Sequence, residues 1–251
     1  MINGVHVLRA IILAGGYAKR MWPLTKDVPK TLLTIEGRPA LDHILDRLHD
    51  AFIEDIIIST NLKFKSHHEA WLKEKYNDHI EIVAEASRCE EEKLGAVGAL
   101  ADLAPILKPD DYIIIAGDNV FTTGLKGMID FYREKRAPVV AVVEARSVDE
   151  VLLGSTIIVG KDMRIVRFKE KPAKAESMLI GACIYILPYG TLLKTREYVQ
   201  QGKNRDEPGS FMEWLCDREV IYGYMLQGRL WDIGTIEGYN ELEREFQKVN
   251  L

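Results

Sequence analysis

The chain has 251 residues, 47% of them hydrophobic and 28% charged, with a formal net charge of −5. That length and apolar content suit one large α/β domain with a substantial core. The acidic balance, with no basic block, argues against nucleic acid as the main partner, and no apolar run is long enough to span a membrane.

Three cysteines, Cys89, Cys183 and Cys216, are too far apart for a metal knuckle. Their odd count, and a Met1–His6 start with no basic region before a long apolar stretch, point to reduced thiols and a cytoplasmic location.

In chain order, the apolar run Ala10–Ala14 predicts a first buried strand. Ala40–Ala51 carries Leu41, Ile44, Leu45 and Leu48 at helical spacing. Asp55–Thr60 predicts a second strand, Ser66–Tyr76 a helix, and Ile80–Ala84 a third strand. Glu91–Ala104 then predicts a helix and Tyr112–Ala116 a fourth strand. This alternation implies parallel strands joined by right-handed crossovers, with ligands at the carboxyl ends of the strands.

The second half has a different rhythm. Val139–Val143, Ser155–Val159, Arg164–Phe168 and Ile180–Leu187 predict strands with short connections, which suggests antiparallel additions. Phe211–Asp217 reads as a helix, Val220–Leu226 as a strand and Glu237–Val249 as a closing helix. No Gly/Ser linker, internal repeat or low-complexity stretch interrupts the chain, so one domain with two lobes is expected.

The first strand runs through Leu13 and Ala14 into Gly15 and Gly16, and then into a stretch that holds Arg20 and Lys30. Glycines let backbone N–H groups approach an anion closely. Arginine and lysine supply charge-assisted hydrogen bonds to phosphate. The segment therefore reads as a phosphate cradle. It is neither a P-loop, since Gly-Lys-Ser/Thr is missing, nor a dinucleotide fingerprint, since G-x-G-x-x-G is absent.

Two acidic positions stand out. Asp118, in Gly117-Asp118-Asn119, follows the fourth strand. A carboxylate there suits Mg²⁺, although Gly-Asp-Asn is also ordinary turn composition. Asp232, in Trp231-Asp232-Ile233-Gly234-Thr235, either faces the same ion or caps the last helix, for which Thr235 is better placed. The six histidines show no ligand spacing, and His67-His68 reads as part of a solvated helix face.

Leu13, Ala14, Gly15, Gly16, Arg20, Pro23, Leu24, Thr25, Pro29 and Lys30 resemble the signature loop of the sugar-1-phosphate nucleotidylyltransferases, the NDP-sugar pyrophosphorylases. Four motifs occur in that family's order between Leu13 and Tyr239. The chain departs from the pattern at Ala18, where glycine is usual and where alanine tolerates positive φ poorly, and at Lys19, where Ser or Thr is usual. Gly181-Ala182-Cys183-Ile184-Tyr185 departs from N-A-G-I-Y at Gly181 and Cys183.

The resemblance implies a mixed, mainly parallel sheet flanked by helices, with an antiparallel sugar-facing part and no C-terminal β-helix. It implies a nucleotide-binding half over about 8–137 and a sugar-binding half over about 138–251. The implied enzyme joins an NTP to a hexose 1-phosphate and releases pyrophosphate, using Mg²⁺ held by Asp118 and Asp232. Catalytic roles fall to Arg20, Lys30 and Lys171, and binding roles to Leu13, Gly15, Gly16, Gly95, Gly154 and Glu170. In Glu170-Lys171-Pro172, the lysine would bind the sugar phosphate and the glutamate would accept from sugar hydroxyls; Lys169–Pro172 could otherwise be a charged hairpin edge. Gly95 would let its backbone reach the base, and Gly154 would face the sugar.

The expected partners are an NTP and a sugar 1-phosphate, with no nucleic acid or membrane and with a homo-oligomer possible. Chain length favours dTTP or UTP with glucose 1-phosphate over GTP with mannose 1-phosphate. A non-catalytic nucleotide-sugar-binding subunit and a GT-A glycosyltransferase are the readings from other classes. Survival of every signature cation and carboxylate argues against the first, and the Arg20 and Pro29-Lys30 pattern against the second.

Overall fold

The computed structural model describes residues 7–75 and 79–249. The Met1–His6 start and Tyr76, at the end of one expected helix, lie outside them. The elements in order are β1 (Leu8–Leu13), β2 (Thr34–Ile35), β3 (Arg38–Pro39), α1 (Ala40–Asp50), β4 (Ile56–Asn61), α2 (Lys65–Lys75), β5 (Ile80–Glu85), α3 (Ala96–Leu103), β6 (Asp111–Ala116) and β7 (Asn119–Phe121). There follow α4 (Lys126–Lys135), β8 (Val139–Glu144), α5 (Val148–Leu153), β9 (Ser155–Val159), β10 (Ile165–Glu170), β11 (Leu179–Leu187), α6 (Tyr189–Gln200), α7 (Pro208–Cys216), β12 (Tyr222–Met225), β13 (Leu230–Asp232) and α8 (Ile236–Val249). The architecture is mixed α/β, with mainly parallel strands in its principal sheet and helices between them.

The chain folds into two compact units. One, the loop unit, comprises residues 10–94, 115–125 and 228–249. Its strands β1, β4 and β5 are parallel, with Leu13 opposite Ser59 and Asn61 opposite Glu85. The apolar runs Ala10–Leu13 and Ile56–Ile58 fit strands inside a sheet, while β5, at its edge, buries only Ile80 fully. Helix α1 buries Leu41, Ile44, Leu45 and Leu48, the stripe its spacing predicts. Each such side chain contributes about 1.5–3 kcal/mol. In the same unit β7 and β13 pair antiparallel, with Asp232 opposite Asn119.

The other, the hairpin unit, comprises residues 7–9, 95–114 and 126–227. Here β8 lies between β11, antiparallel, and β12, parallel, while β9 and β10 form an antiparallel pair. The expected antiparallel additions are present, but β12 runs parallel to β8. Helices α4, α5 and α6 occupy connections that the sequence reading left short or unassigned, and the helix expected over Phe211–Asp217 is α7.

Two expectations need correction. The helix foreseen over Glu91–Ala104 begins only at Ala96; Glu90–Glu92 forms a separate 3-10 turn. Gly95, at φ +80, breaks the run. His68 is fully buried, where a solvated face was expected. Its Nδ1 lies 3.0 Å from the Phe64 carbonyl and its Nε2 2.9 Å from Thr31 Oγ1. The carbonyl can only accept, so Nδ1 carries the proton and Thr31 donates to Nε2.

Candidate active site

Four charged side chains converge within the loop unit. After β1 the chain passes Gly15 and Gly16 and enters a left-handed conformation at Ala18, φ 48 and ψ 44. Alanine takes up the backbone shape that glycine usually provides, at a cost on the order of 1 kcal/mol. Thr25 Oγ1 donates to the Ala18 carbonyl at 2.8 Å and fixes the bend. The 3-10 turn Lys19–Met21 follows, then a cis Trp22–Pro23 peptide. Arg20 stands exposed in this loop, while Lys30 opens a second 3-10 turn.

Lys30 Nζ is paired with the Asp118 carboxylate, 88 residues away in sequence. The approach requires Gly117. A Cβ there would lie 2.8 Å from both the Leu13 carbonyl oxygen and Thr31 Cγ2. Gly117 N also donates to Leu13 O at 2.9 Å, which ties the Asp118 turn to the end of β1.

Asp232 arrives from the other side. The β7–β13 pairing and a 3.0 Å bond from Ile233 N to Asp118 O place the two acidic segments side by side. Gly234 N donates to Asp232 Oδ1 at 2.7 Å. A Cβ at Gly234 would sit 2.8 Å from that oxygen and 3.6 Å from Arg20 Nη2. Thr235 caps α8 by accepting from Gly238 N at 3.0 Å, so Asp232 is not needed as its cap.

The charges are balanced between the two carboxyls. Burial pushes Asp118 up, but the Lys30 ammonium outweighs it, helped by Arg20, and holds the group below the usual carboxylate range. Asp232 goes the other way: crowding by the surrounding chain and the neighbouring Asp118 charge raise it.

No cluster of three or more His, Cys, Asp or Glu side chains is placed to hold a metal among the described residues. The donor set here is two oxygen ligands. It suits Mg²⁺, which takes one or two carboxylates and completes its shell with water and substrate phosphates. The mutual repulsion that raises Asp232 is what a divalent cation between the carboxyls would relieve.

The hairpin unit carries its own group. Glu170 ends β10, and Lys171 follows at φ 42. Lys171 N donates to Gly154 O at 2.7 Å, and its ammonium pairs with Glu207. Glu207 also accepts from Asn204 Nδ2 at 2.8 Å and Ser210 Oγ at 3.2 Å. The Glu170 carboxyl is pressed against Gly209, where a Cβ would lie 1.9 Å from its Oε2. Burial, with the Glu207 and Glu213 charges, pushes Glu170 up to about 7 despite Lys171.

Gly95 is closed in by its own unit: a Cβ would meet Arg205 O at 2.4 Å. That carbonyl accepts from Val97 N at 2.9 Å and Gly98 N at 3.1 Å, at the start of α3. Cys183 sits at φ 50 in the register shift of β11, between Gly181 and Tyr185. Tyr185 is buried beside it and raised by that burial, by Cys183 and by Glu170.

Sequence reasoning missed three polar groups near these residues. Thr31 and His68 brace the turn that carries Lys30. Glu85 ends β5, with its Cδ 3.9 Å from where a Cβ on Gly15 would be. Its position at a strand's carboxyl end was the available signal.

The model of the family described as Nucleotidyl transferase matches residues 9–249. The chain belongs to the Nucleotidyl transferase family. A mannose-1-phosphate guanylyltransferase of Mycobacterium tuberculosis is 29% identical over 242 residues, covering 93% of this chain and 63% of its own length. The D-glycero-alpha-D-manno-heptose 1-phosphate guanylyltransferase of Aneurinibacillus thermoaerophilus is 25% identical, covering 96% of this chain and 99% of its own. This Nucleotidyl transferase family member thus spans less than two thirds of some curated relatives and nearly all of others. Its fold matches a Bacillus anthracis protein provisionally named glucose-1-phosphate thymidylyltransferase and solved with a sucrose, with a TM-score of 0.82, 21% identity, and coverage of 98% and 97% of the two chains.

Proposed function

We propose that this chain is a sugar-1-phosphate nucleotidylyltransferase. A phosphate oxygen of a hexose 1-phosphate attacks the α-phosphorus of an NTP. The new P–O bond gives an NDP-sugar, and the bond to the β-phosphate breaks to release pyrophosphate. The arrangement that carries this reading is Arg20, Lys30, Asp118 and Asp232 gathered in one unit beside the glycine loop after β1.

The chemistry suits these residues. The nucleophile is a phosphate monoester, whose second pKa is near 6, so it is already ionised at neutral pH and needs no general base. Repulsion between two anions is the obstacle. Arg20 and Lys30 offset it on the triphosphate and favour the charge that develops on the leaving pyrophosphate. Lys171 holds the sugar phosphate, and Glu170 accepts from sugar hydroxyls when ionised. Asp118 and Asp232 would hold Mg²⁺, which supplies charge neutralisation at the phosphates.

The names of relatives leave base and sugar open. One reading is dTTP or UTP with glucose 1-phosphate. The other is GTP with mannose 1-phosphate. Phosphorus NMR of protein, Mg²⁺, NTP and sugar 1-phosphate tests the reaction class. One pyrophosphate per diphosphate-linked sugar is expected. Nucleotide binding without either product would identify a non-catalytic binding subunit instead.

A further inference from the structure

We infer that His68 is a positioning residue for phosphate binding: it clasps both ends of the loop that runs from Gly15 to Lys30, and so fixes the Lys30 ammonium. The inference rests on the nucleotidyl-transfer reading for what Lys30 binds.

The loop leaves β1 through Ala14 and ends at the 3-10 turn that Lys30 opens. Thr60, in β4, holds its first end: Thr60 Oγ1 donates to Ala14 O at 3.4 Å, beside a 2.7 Å bond from Ala14 N to Ser59 O. Thr31, the next residue after Lys30, holds its last end. Both hydroxyls reach one ring. His68 Nε2 lies 2.9 Å from Thr31 Oγ1, and Nδ1 lies 3.3 Å from Thr60 Oγ1. All three side chains are buried. A single imidazole from α2 therefore joins the two ends of the phosphate loop.

The direction of each bond is set. Thr60 gives its proton to Ala14 O, so it can only accept from His68. The protonated Nδ1 lies between that oxygen and Phe64 O, at 3.0 Å. Nε2 is bare and takes the Thr31 proton. A neutral imidazole offers one donor and one acceptor on opposite sides, which is what these two hydroxyls require. A buried network with every member satisfied favours one arrangement over its neighbours.

Thr31 carries the effect to Lys30. With its hydroxyl on His68, its methyl group lies against Gly117, where a Cβ would be 2.8 Å from Thr31 Cγ2. Threonine is stiff at χ1. Another rotamer would lose the His68 bond and withdraw the methyl group from Gly117 together. Lys30 precedes Thr31, Asp118 follows Gly117, and the two charges pair. The His68–Thr31 bond thus sets how the two segments that bear this pair meet.

A buried polar cluster could stabilise the fold and do nothing else, and the experiment separates the two roles. Inorganic pyrophosphate with Mg²⁺, the product common to every NTP, is titrated by calorimetry into wild type, Thr31→Val, Thr31→Ser, His68→Leu and the Thr31→Val/His68→Leu double variant. Thermal midpoints are recorded for each. Thr31→Val and His68→Leu should each weaken pyrophosphate by roughly 10-fold, the lower end of what one charge-assisted hydrogen bond contributes. The double variant should bind no more weakly than the weaker single one, because both changes break the same bond. Thr31→Ser keeps the hydroxyl and should stay within about twofold of wild type.

Variants that lose thermal stability yet bind pyrophosphate like wild type would make the cluster structural only and overturn the inference. So would losses that multiply to roughly 100-fold in the double variant, which would place the effect of His68 outside Thr31. Thr31→Ser binding as weakly as Thr31→Val would overturn it as well. If His68→Leu yields no folded protein, the contrast between Thr31→Val and Thr31→Ser decides alone. Wild type that binds no pyrophosphate would reject the nucleotidyl-transfer reading and this inference with it. Normal binding by wild type and every variant would reject the role of His68 and leave that reading standing.

Discussion

Lys30 and Asp118 form an ion pair largely shielded from water, with side-chain exposures of 16% and 21%. A lysine paired in this way is already desolvated and aimed. In the proposed reaction an arriving phosphate would gain its charge without first stripping a full hydration shell, and Asp118 would be released to a cation. On that proposal the pair would stand in for the charges of the loaded site.

Removal of either carboxylate tests that account. Asp118→Asn and Asp232→Asn should each abolish turnover while circular dichroism and thermal midpoint stay near wild type. EDTA should stop the reaction and Mg²⁺ restore it. Full activity in chelator would take both residues out of the site.

Arg20 stands on the exposed loop beside Asp232 and is assigned to the leaving pyrophosphate. Arg20→Ala should lower kcat by roughly 10²-fold, the usual loss of one preorganised donor to developing charge. A variant within a few-fold of wild type would remove that role.

Lys171 should divide the substrates. Lys171→Ala is expected to raise KM for the sugar 1-phosphate far more than for the NTP. The loss in kcat/KM should be roughly 10- to 150-fold, the scale of one charge-assisted hydrogen bond. Lys171→Arg should rescue only in part, because its planar fork is shaped differently. A rise confined to the NTP would return Lys171 to an ordinary lysine after an edge strand.

The strands were the most legible part of this sequence. Ile56–Ile58 and Tyr112–Ala116 are apolar runs, as buried strands show. Asp118 was readable as a candidate because it follows a strand, and Asp232 because it lies in Trp231-Asp232-Ile233-Gly234-Thr235. Their juxtaposition was not, since it comes from β7 pairing with β13 across more than a hundred residues. Helix α6 escaped because it buries Thr191 and Thr195 where an apolar stripe would have announced it. His68 looked solvated in a polar run, and its burial depends on Thr31 and Thr60, which come from other elements. The partner of Lys171, Glu207, lies 36 residues away with no local pattern to mark it.

Glu170 gives a stability signature in pH. Its carboxyl is raised from 4.5 to about 7, so protonation favours the folded state. The contribution is complete below about pH 4.5 and is lost as pH rises through 7. Glu170→Gln stays neutral, so its thermal midpoint relative to wild type should climb between pH 5 and pH 8. A constant difference would show that Glu170 is ionised throughout.

His68 acts in the opposite direction. Burial lowers it from 6.5 to about 4, so the unfolded chain binds a proton there first. Stability should fall as pH drops from about 6.5 towards 4, by on the order of 2 kcal/mol from this group. In urea titrations at pH 7 and pH 5, His68→Gln should lose less stability than wild type. An equal loss would place the acid sensitivity elsewhere.

The central claim is nucleotidyl transfer, and a matrix of four NTPs against several hexose 1-phosphates, scored by pyrophosphate release, tests it most directly. The account predicts Mg²⁺-dependent release that requires both substrates. Absence of pyrophosphate in every cell, from folded protein with Mg²⁺ present, would contradict it.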